Sequence, residues 1–238
     1  SLEAQDLFLT LVTRKGVIKR VALAQISSIR RSGLIIMNLK DGDELVTARI
    51  VRDEDDLMLV TEQGMSIRFP VTDITARLRA AGGVRGMMLS PKDKIVSMDV
   101  VVPDSKLLVI SKKGFGKLTD LNRYRRQGRG GRGIKTLNIT KKTGPVAAAD
   151  VIDESTEVYV VSARAQVLRT SLSEIRSTGR ATQGVTIFKP APGDSVASIA
   201  CVGEFHVPEN ESGQLEVNTN ANLKDGKGKG NLPPNKLA

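Results

Sequence analysis

Tryptophan is absent from this chain, histidine and cysteine occur once each, and aromatic residues make up only 3% of its 238 positions. Each scarcity excludes something. Modules such as the RNA-recognition sheet carry their binding on stacked aromatics, so this composition argues against that class. The lone cysteine, Cys201, rules out an internal disulfide framework and points to a reducing compartment, with the cytoplasm as the default. His206, the single histidine, together with Cys201 falls short of an ordinary zinc ligand set, so no metal and no cofactor is expected. No apolar run reaches the roughly 18 residues of a membrane-spanning helix, and the segment Ser1 to Gln5 lacks the basic and apolar regions of a secretory leader. A Gly-x-x-x-x-Gly-Lys-Ser/Thr phosphate loop is also missing.

What is present is positive charge. Lys and Arg total 36 against 26 Asp and Glu, giving a formal charge of +10 and a pI near 9.9. Such an excess points to a polyanionic partner, most often nucleic acid. The chain is also repetitive. Asp6 to Gly16, Asp56 to Gly64, Lys106 to Gly114 and Glu157 to Ala165 are each an apolar run ending in a polar turn, the pattern of a strand entering a hairpin. A second short strand follows each, with a basic residue near its start: Lys19 and Arg20, Arg68, Lys117, and Arg169, of which Arg68, Lys117 and Arg169 are candidate contacts to such a partner. Their turn anchors, Gly16, Gly64, Gly114 and Ala165, lie 48, 50 and 51 residues apart.

The second half of every unit repeats as well. A glycine-bearing loop precedes a third strand, at Arg30 to Met37, Ala81 to Leu89, Arg129 to Leu137 and Thr182 to Phe188. A closing strand follows, at Glu44 to Val51, Lys94 to Val102, Pro145 to Ile152 and Ser195 to Val202. Roughly four strands per unit, at a period near fifty residues, predict propeller-like blades and an all-β fold. The units run over 6–52, 53–102, 103–152 and 153–203, and residues 204–238 read as a disordered tail rich in Asn, Gly, Lys and Pro. Short helical turns are expected within Leu23 to Ile29, Val71 to Leu78 and Leu172 to Ile175.

The loop of the third unit carries the densest chemistry. Tyr124 to Gly133 holds four arginines (Arg125, Arg126, Arg129, Arg132) and four glycines (Gly128, Gly130, Gly131, Gly133), with Arg123 before and Lys135 after. Glycine lets a backbone approach a ligand closely, and guanidinium forks bind phosphate oxygens in pairs. A solvated basic loop would share this composition. Equivalent loops in the other units also carry arginine, at Arg30 and Arg31, Arg85, and Arg180. In a radial arrangement they would line one rim.

The unit pattern and the string Gln127-Gly128-Arg129-Gly130-Gly131-Arg132-Gly133 resemble the C-terminal domain of the DNA gyrase A subunit. That family's hallmark box reads Gln-x-Arg-Gly-Gly-Lys/Arg-Gly, and every specified position is met here. The resemblance runs from Asp6 to about Val202. It implies a β-pinwheel whose blades exchange strands and whose basic rim wraps double-stranded DNA, without cofactor, to support negative supercoiling by a separate, ATP-dependent catalytic core. It further implies two protein partners, the rest of the gyrase A subunit plus the gyrase B subunit. No membrane is implied, and the expected place is the bacterial cytoplasm at the nucleoid. The gyrase domain usually has six blades with its box in the first. Here the box lies in the third unit, and the register looks like the last four blades. Unpaired blade edges would then favour self-association. The alternatives are the similar C-terminal domain of the topoisomerase IV A subunit, which lacks an intact box, and a protein-interaction propeller whose charge serves solubility.

No catalytic residue is expected. By the resemblance, the DNA-cleaving tyrosine belongs to a preceding domain, which leaves Tyr124 as a packing residue beside the box. Asp41-Gly42-Asp43-Glu44 reads as a hairpin turn rather than a magnesium site, and Asp53 to Asp56 as a solvated connection. Arg14, Lys15, Lys112, Lys113 and Arg164, on the hairpins, suit either phosphate contact or the guarding of strand edges.

Overall fold

A computed structural model describes residues 6–27, 31–152 and 155–203. The described chain is almost entirely β-structure, in four small antiparallel sheets that form the blades of a β-propeller. Each unit opens with a hairpin. These are β1 (Phe8–Thr13) with β2 (Val17–Ala22), β4 (Asp56–Thr61) with β5 (Met65–Pro70), β8 (Lys106–Ser111) with β9 (Phe115–Asp120), and β12 (Ser155–Ser162) with β13 (Val167–Ser171). A long closing strand lies against the first strand of each hairpin: β3 (Leu45–Val51), β7 (Ile95–Val100), β11 (Val146–Ile152) and β15 (Val196–Gly203).

The fourth strand of a blade comes from the next unit. β6 (Val84–Arg85) pairs with β2, β10 (Ile134–Lys135) with β5, and β14 (Val185–Thr186) with β9. The fourth blade, of order β13-β12-β15, has three strands among the described residues. The strand expected after Gly33 does not form: residues 31–40 hold no strand. A two-residue strand exists only through its ladder partner, and none is described for this segment.

Alternation explains why the central strands are apolar throughout. In β4, Leu57 and Leu59 point into a core shared with Val12, Ile18 and Val51 of the first unit. Met58 and Val60, on the opposite face, join Leu107, Val109 and Val146 of the third. In β8, Leu108 and Ile110 likewise meet Val158 and Val160 of the fourth. One strand therefore feeds two inter-blade cores, each side chain assigned by the period of two.

The hairpin glycines are fixed by the strand that arrives from the next unit. Gly16, Gly64 and Gly114 have φ of +79°, +75° and +77°. A Cβ on Gly114 would fall 1.9 Å from the Phe188 carbonyl oxygen, and one on Gly64 2.5 Å from that of Leu137. The fourth anchor, Ala165, keeps a positive φ of 61° with a side chain. Among the described residues no strand is laid across it.

Every unit turns from its hairpin through one 3-10 turn: Leu23–Gln25, Val71–Asp73, Leu121–Arg123 and Leu172–Glu174. Three fall within the expected segments, though shorter, and that of the third unit is an addition to them. Its polar Asn122 and Arg123 hide a single buried anchor, Leu121.

The closing strands pack side by side and line up one residue from each unit. Arg49 donates from Nε to Asp99 Oδ1 at 2.9 Å, and the main-chain N–H of Val151 donates to Asp99 Oδ2 at 3.2 Å. Asp150 sits between Asp99 and Cys201. Burial, with the Asp99 carboxylate beside it, pushes the Asp150 carboxyl up to about 7. Burial also raises the Asp99 carboxyl, but hydrogen bonds from Asp150 and Arg49 outweigh it and hold Asp99 below the usual carboxylate range. The Cys201 thiol is pushed up to about 12 by burial and by Asp150, so it is an unreactive packing residue.

Candidate nucleic-acid interface

Strand exchange brings the loops of successive units into one chain. The Gly130 N–H donates to the Gly86 carbonyl at 2.8 Å, and the Met88 N–H to that of Gly131 at 2.9 Å. One unit further, the Asn138 N–H donates to the Thr182 carbonyl at 2.9 Å. Segments 81–88, 128–138 and 179–186 are thus tied by main-chain hydrogen bonds. The third-unit loop is also anchored to β5, since the Gln127 N–H donates to the Arg68 carbonyl at 2.8 Å. Gly133, at φ +73°, lies so close to β5 that a Cβ would meet the Ser66 carbonyl oxygen at 2.2 Å. Gly133 is a requirement of strand exchange as much as of any ligand. Gly128, by contrast, has open space around it.

The arginines and lysines proposed from sequence fall into three groups. Arg85, Arg125, Arg132 and Lys135 are exposed, and no described residue binds their side-chain cations. Arg31 is exposed likewise; Arg30 lies outside the described residues.

A second group is exposed or half-buried but holds the protein together. Arg126 donates from Nε to Asp56 Oδ2 at 3.1 Å, and its Nη2 makes an ionic contact with Oδ1 at 2.6 Å. Arg68 shares that carboxylate, donating from Nε to Oδ2 at 2.8 Å. Burial raises the Asp56 carboxyl, but Arg126 and Arg68 together outweigh it and hold the carboxyl below its ordinary value. Arg129 binds Asp73 and the Arg85 carbonyl, while Arg180 donates from Nη1 to the Lys135 carbonyl at 3.3 Å. Arg169 grips both oxygens of Glu157 at 2.8 and 2.7 Å.

The third group lies in the interior. Lys117, a candidate contact in the sequence, is instead fully buried and out of reach of a ligand, and its ammonium donates to the Gly179 and Arg180 carbonyls of the next unit's loop. Burial and then Arg180 push its pKa down to about 8. Lys19, two units earlier, is also buried and donates to the Ile36 carbonyl of its own unit and the Arg79 carbonyl of the next. Arg20 is buried against Asp53 and stacks 3.6 Å over the Phe8 ring. A sequence signal existed for Lys117: the hairpin register sets it opposite Val109, a core residue.

Tyr124 is buried in the second core, its hydroxyl 2.6 Å from Thr136 Oγ1. The hairpin cations are largely engaged internally: Arg14 with Glu44 and Lys112 with Glu62, each at 2.6 Å, and Lys15 with the Asp41 carbonyl at 2.9 Å. Residues 41–42 form a turn, but not the hairpin turn read from sequence, since no strand precedes it within residues 31–40. The acidic run 53–56 differs from its reading, because Asp56 begins β4 and is buried. Among the described residues, no three His, Cys, Asp or Glu side chains are grouped to hold a metal ion, and no helix is long and apolar enough to cross a membrane.

A family model described as the DNA gyrase C-terminal domain, beta-propeller, matches residues 8–52, 55–101, 105–153 and 156–203. The DNA gyrase A subunit of Mycolicibacterium smegmatis is 41% identical over 195 residues, 81% of this chain and 23% of that protein. That of Staphylococcus aureus is 35% identical over 218 residues, 91% of this chain and 25% of that protein. The chain thus spans about a quarter of the length of these curated relatives. Among solved structures, the C-terminal domain of DNA topoisomerase IV superposes with a TM-score of 0.80 at 25% identity, covering 85% of this chain and 64% of that one. The DNA gyrase A C-terminal domain gives 0.74 at 27% identity, covering 83% and 66%.

Proposed function

Since this chain belongs to the DNA gyrase C-terminal domain family, we propose that it binds duplex DNA along its loop rim and holds it bent. The observation that carries this reading is the set of unpartnered cations, Arg85, Arg125, Arg132 and Lys135, on loops joined by main-chain hydrogen bonds. Bending 20–30 base pairs smoothly costs on the order of 1–6 kcal/mol. Distributed phosphate contacts offset such a cost better than one strong site. Among the described residues no helix is longer than a 3-10 turn, so no recognition helix enters the major groove and sequence preference is expected to be slight.

The domain performs no chemistry in this reading. It presents a wrapped segment to a separate type II topoisomerase core, made of the remainder of the gyrase A subunit with the gyrase B subunit, in the bacterial cytoplasm. The fit to the topoisomerase IV domain supports a second reading, a domain that bends DNA with little wrapping. The intact box, Gln127 to Gly133, favours the first.

Two measurements separate them. Affinity for linear duplex at several salt concentrations should fall steeply, log K dropping about 0.9 per phosphate neutralised for each decade of salt. Plasmid relaxed by a nicking-closing enzyme in the domain's presence should acquire a shifted linking number if the bend is chiral. A shallow salt slope removes the DNA reading, and a steep slope with an unshifted linking number favours the topoisomerase IV type.

A further inference from the structure

The arginines of the box are not equivalent. Arg129 directs donors at the second unit in three ways. Its main-chain N–H meets Asp73 Oδ2 at 3.1 Å, its Nε the Asp73 carbonyl at 2.9 Å, and its Nη1 the Arg85 carbonyl. Arg132, three residues on, is exposed and has no partner among the described residues. The reach made by Arg129 recurs at equivalent positions of the repeat. Arg79 Nη1 donates to the Ile35 carbonyl at 3.0 Å, and Arg180 Nη1 to the Lys135 carbonyl at 3.3 Å. In three successive units, one arginine thus reaches back to the middle of the preceding unit's loop.

The first of these contacts separates the reach from phosphate chemistry. Ile35 carries no charge, yet Arg79 grips its carbonyl as Arg129 grips that of Arg85. The support beneath the arginine repeats too. The Arg79 N–H donates to Gln25 Oε1 at 3.2 Å, as the Arg129 N–H does to Asp73. Gln25 and Asp73 both end the 3-10 turn of their units. An amide does the same work as a carboxylate there, so the acceptor atom matters and its charge does not. In the third unit that position is Arg123, which cannot accept, and the corresponding bond to Arg180 is absent.

We propose that Arg129 is a positioning residue, fixed by Asp73 and the Arg85 carbonyl so that Arg132, Lys135 and Arg85 present their charges in line to the DNA backbone. Arg79 and Arg180 are the same device in the neighbouring units. This rests on the DNA-binding reading above and divides labour within it: Arg129 sets loop spacing, and its neighbours neutralise phosphate.

Charge and positioning predict opposite signs at Asp73, and the test uses that. Affinity for a duplex would be measured across salt concentrations for the whole chain and for Asp73→Ala, Asp73→Gln, Arg129→Ala and Arg132→Ala, with thermal melting to confirm each fold. Losing an anion from a DNA-binding rim tightens binding on charge alone, equally for Ala and Gln. Positioning instead makes Asp73→Ala and Arg129→Ala weaken binding roughly threefold to tenfold, the size of one ordinary intramolecular hydrogen bond, at unchanged salt slope. Asp73→Gln restores it, while Arg132→Ala lowers the slope by about 0.9. A slope loss in Arg129→Ala, or tighter binding in Asp73→Ala, overturns the assignment. An unsubstituted chain that fails to bind duplex overturns the DNA reading itself.

Discussion

The loops of the first and third units carry the same local pattern, Gly33-Leu34-Ile35 against Gly133-Ile134-Lys135, and end in different structures. In the third, Ile134 and Lys135 form a strand on β5, and Gly133 is pressed against the Ser66 carbonyl. In the first, Gly33 has a similar positive φ, +79° against +73°, yet a methyl group placed on it would meet no described atom within 4 Å, and Ile35 is 67% exposed. Both loops still receive the backward reach of an arginine, Arg79 in the first and Arg180 in the third. The strand, and the steric demand for glycine, come from the neighbouring blade; the arginine contact comes from the unit that follows.

The largest effect that would break this comparison is expected at the glycines. Gly133→Ala should cost about 3 kcal/mol or more, because backbone must shift as well as adopt a strained φ. Gly33→Ala meets only the strain, about 1–2 kcal/mol. Chemical denaturation of both variants decides it, and equal losses would contradict the account.

Next in size is Lys117→Ala. It takes the ammonium donor from two half-buried carbonyls of the fourth unit's loop, Gly179 and Arg180, and losing hydrogen bonds to a charged group costs about 1.5–3 kcal/mol. Arg132→Ala, on the exposed side of the same rim, should change stability by less than about 0.5 kcal/mol. Paired denaturation curves would show whether the two basic residues differ in this way.

A pH dependence follows from the closing strands. Asp150 binds its proton more tightly folded, at about 7, than free, at 3.8. Its stabilising contribution is therefore complete below the free value, falls as pH rises from about 4 to 7, and is gone above. Asp99, held low, acts in the opposite sense only as pH drops below its own free value of 3.8. Melting temperatures from pH 4.5 to 8 should lose part of their downward trend in Asp150→Asn; an identical trend would remove Asp150 as its source.

The smallest effect sharpens the comparison from the other side. Ile35→Lys gives the first loop the charge found at Lys135, on an exposed and already gripped position. The salt slope for duplex binding should grow by about 0.9, with stability nearly unchanged.

Much of this architecture is legible in the amino-acid order. The hairpins and closing strands announce themselves through alternation and glycine spacing, because those signals are local. The missing strand at residues 34–37 is not legible, since a strand that short is made by its partner. The roles of the arginines are equally hidden. A guanidinium that binds a carbonyl, as in Arg129 and Arg180, and one left free, as in Arg132, are the same letter in sequence. Lys117 shows where more could be read: its register opposite Val109 follows from the hairpin turn and places it in the interior.

The central claim is that the loop rim holds duplex DNA in a bend. Its most direct test is energy transfer between dyes on the two ends of a duplex long enough to follow the rim, titrated with the chain at low and high salt. The account predicts that the ends draw together on binding at low salt, that high salt releases them, and that changing Arg85, Arg132 and Lys135 together to Ala abolishes the approach. Binding that leaves the end-to-end distance unchanged would contradict it.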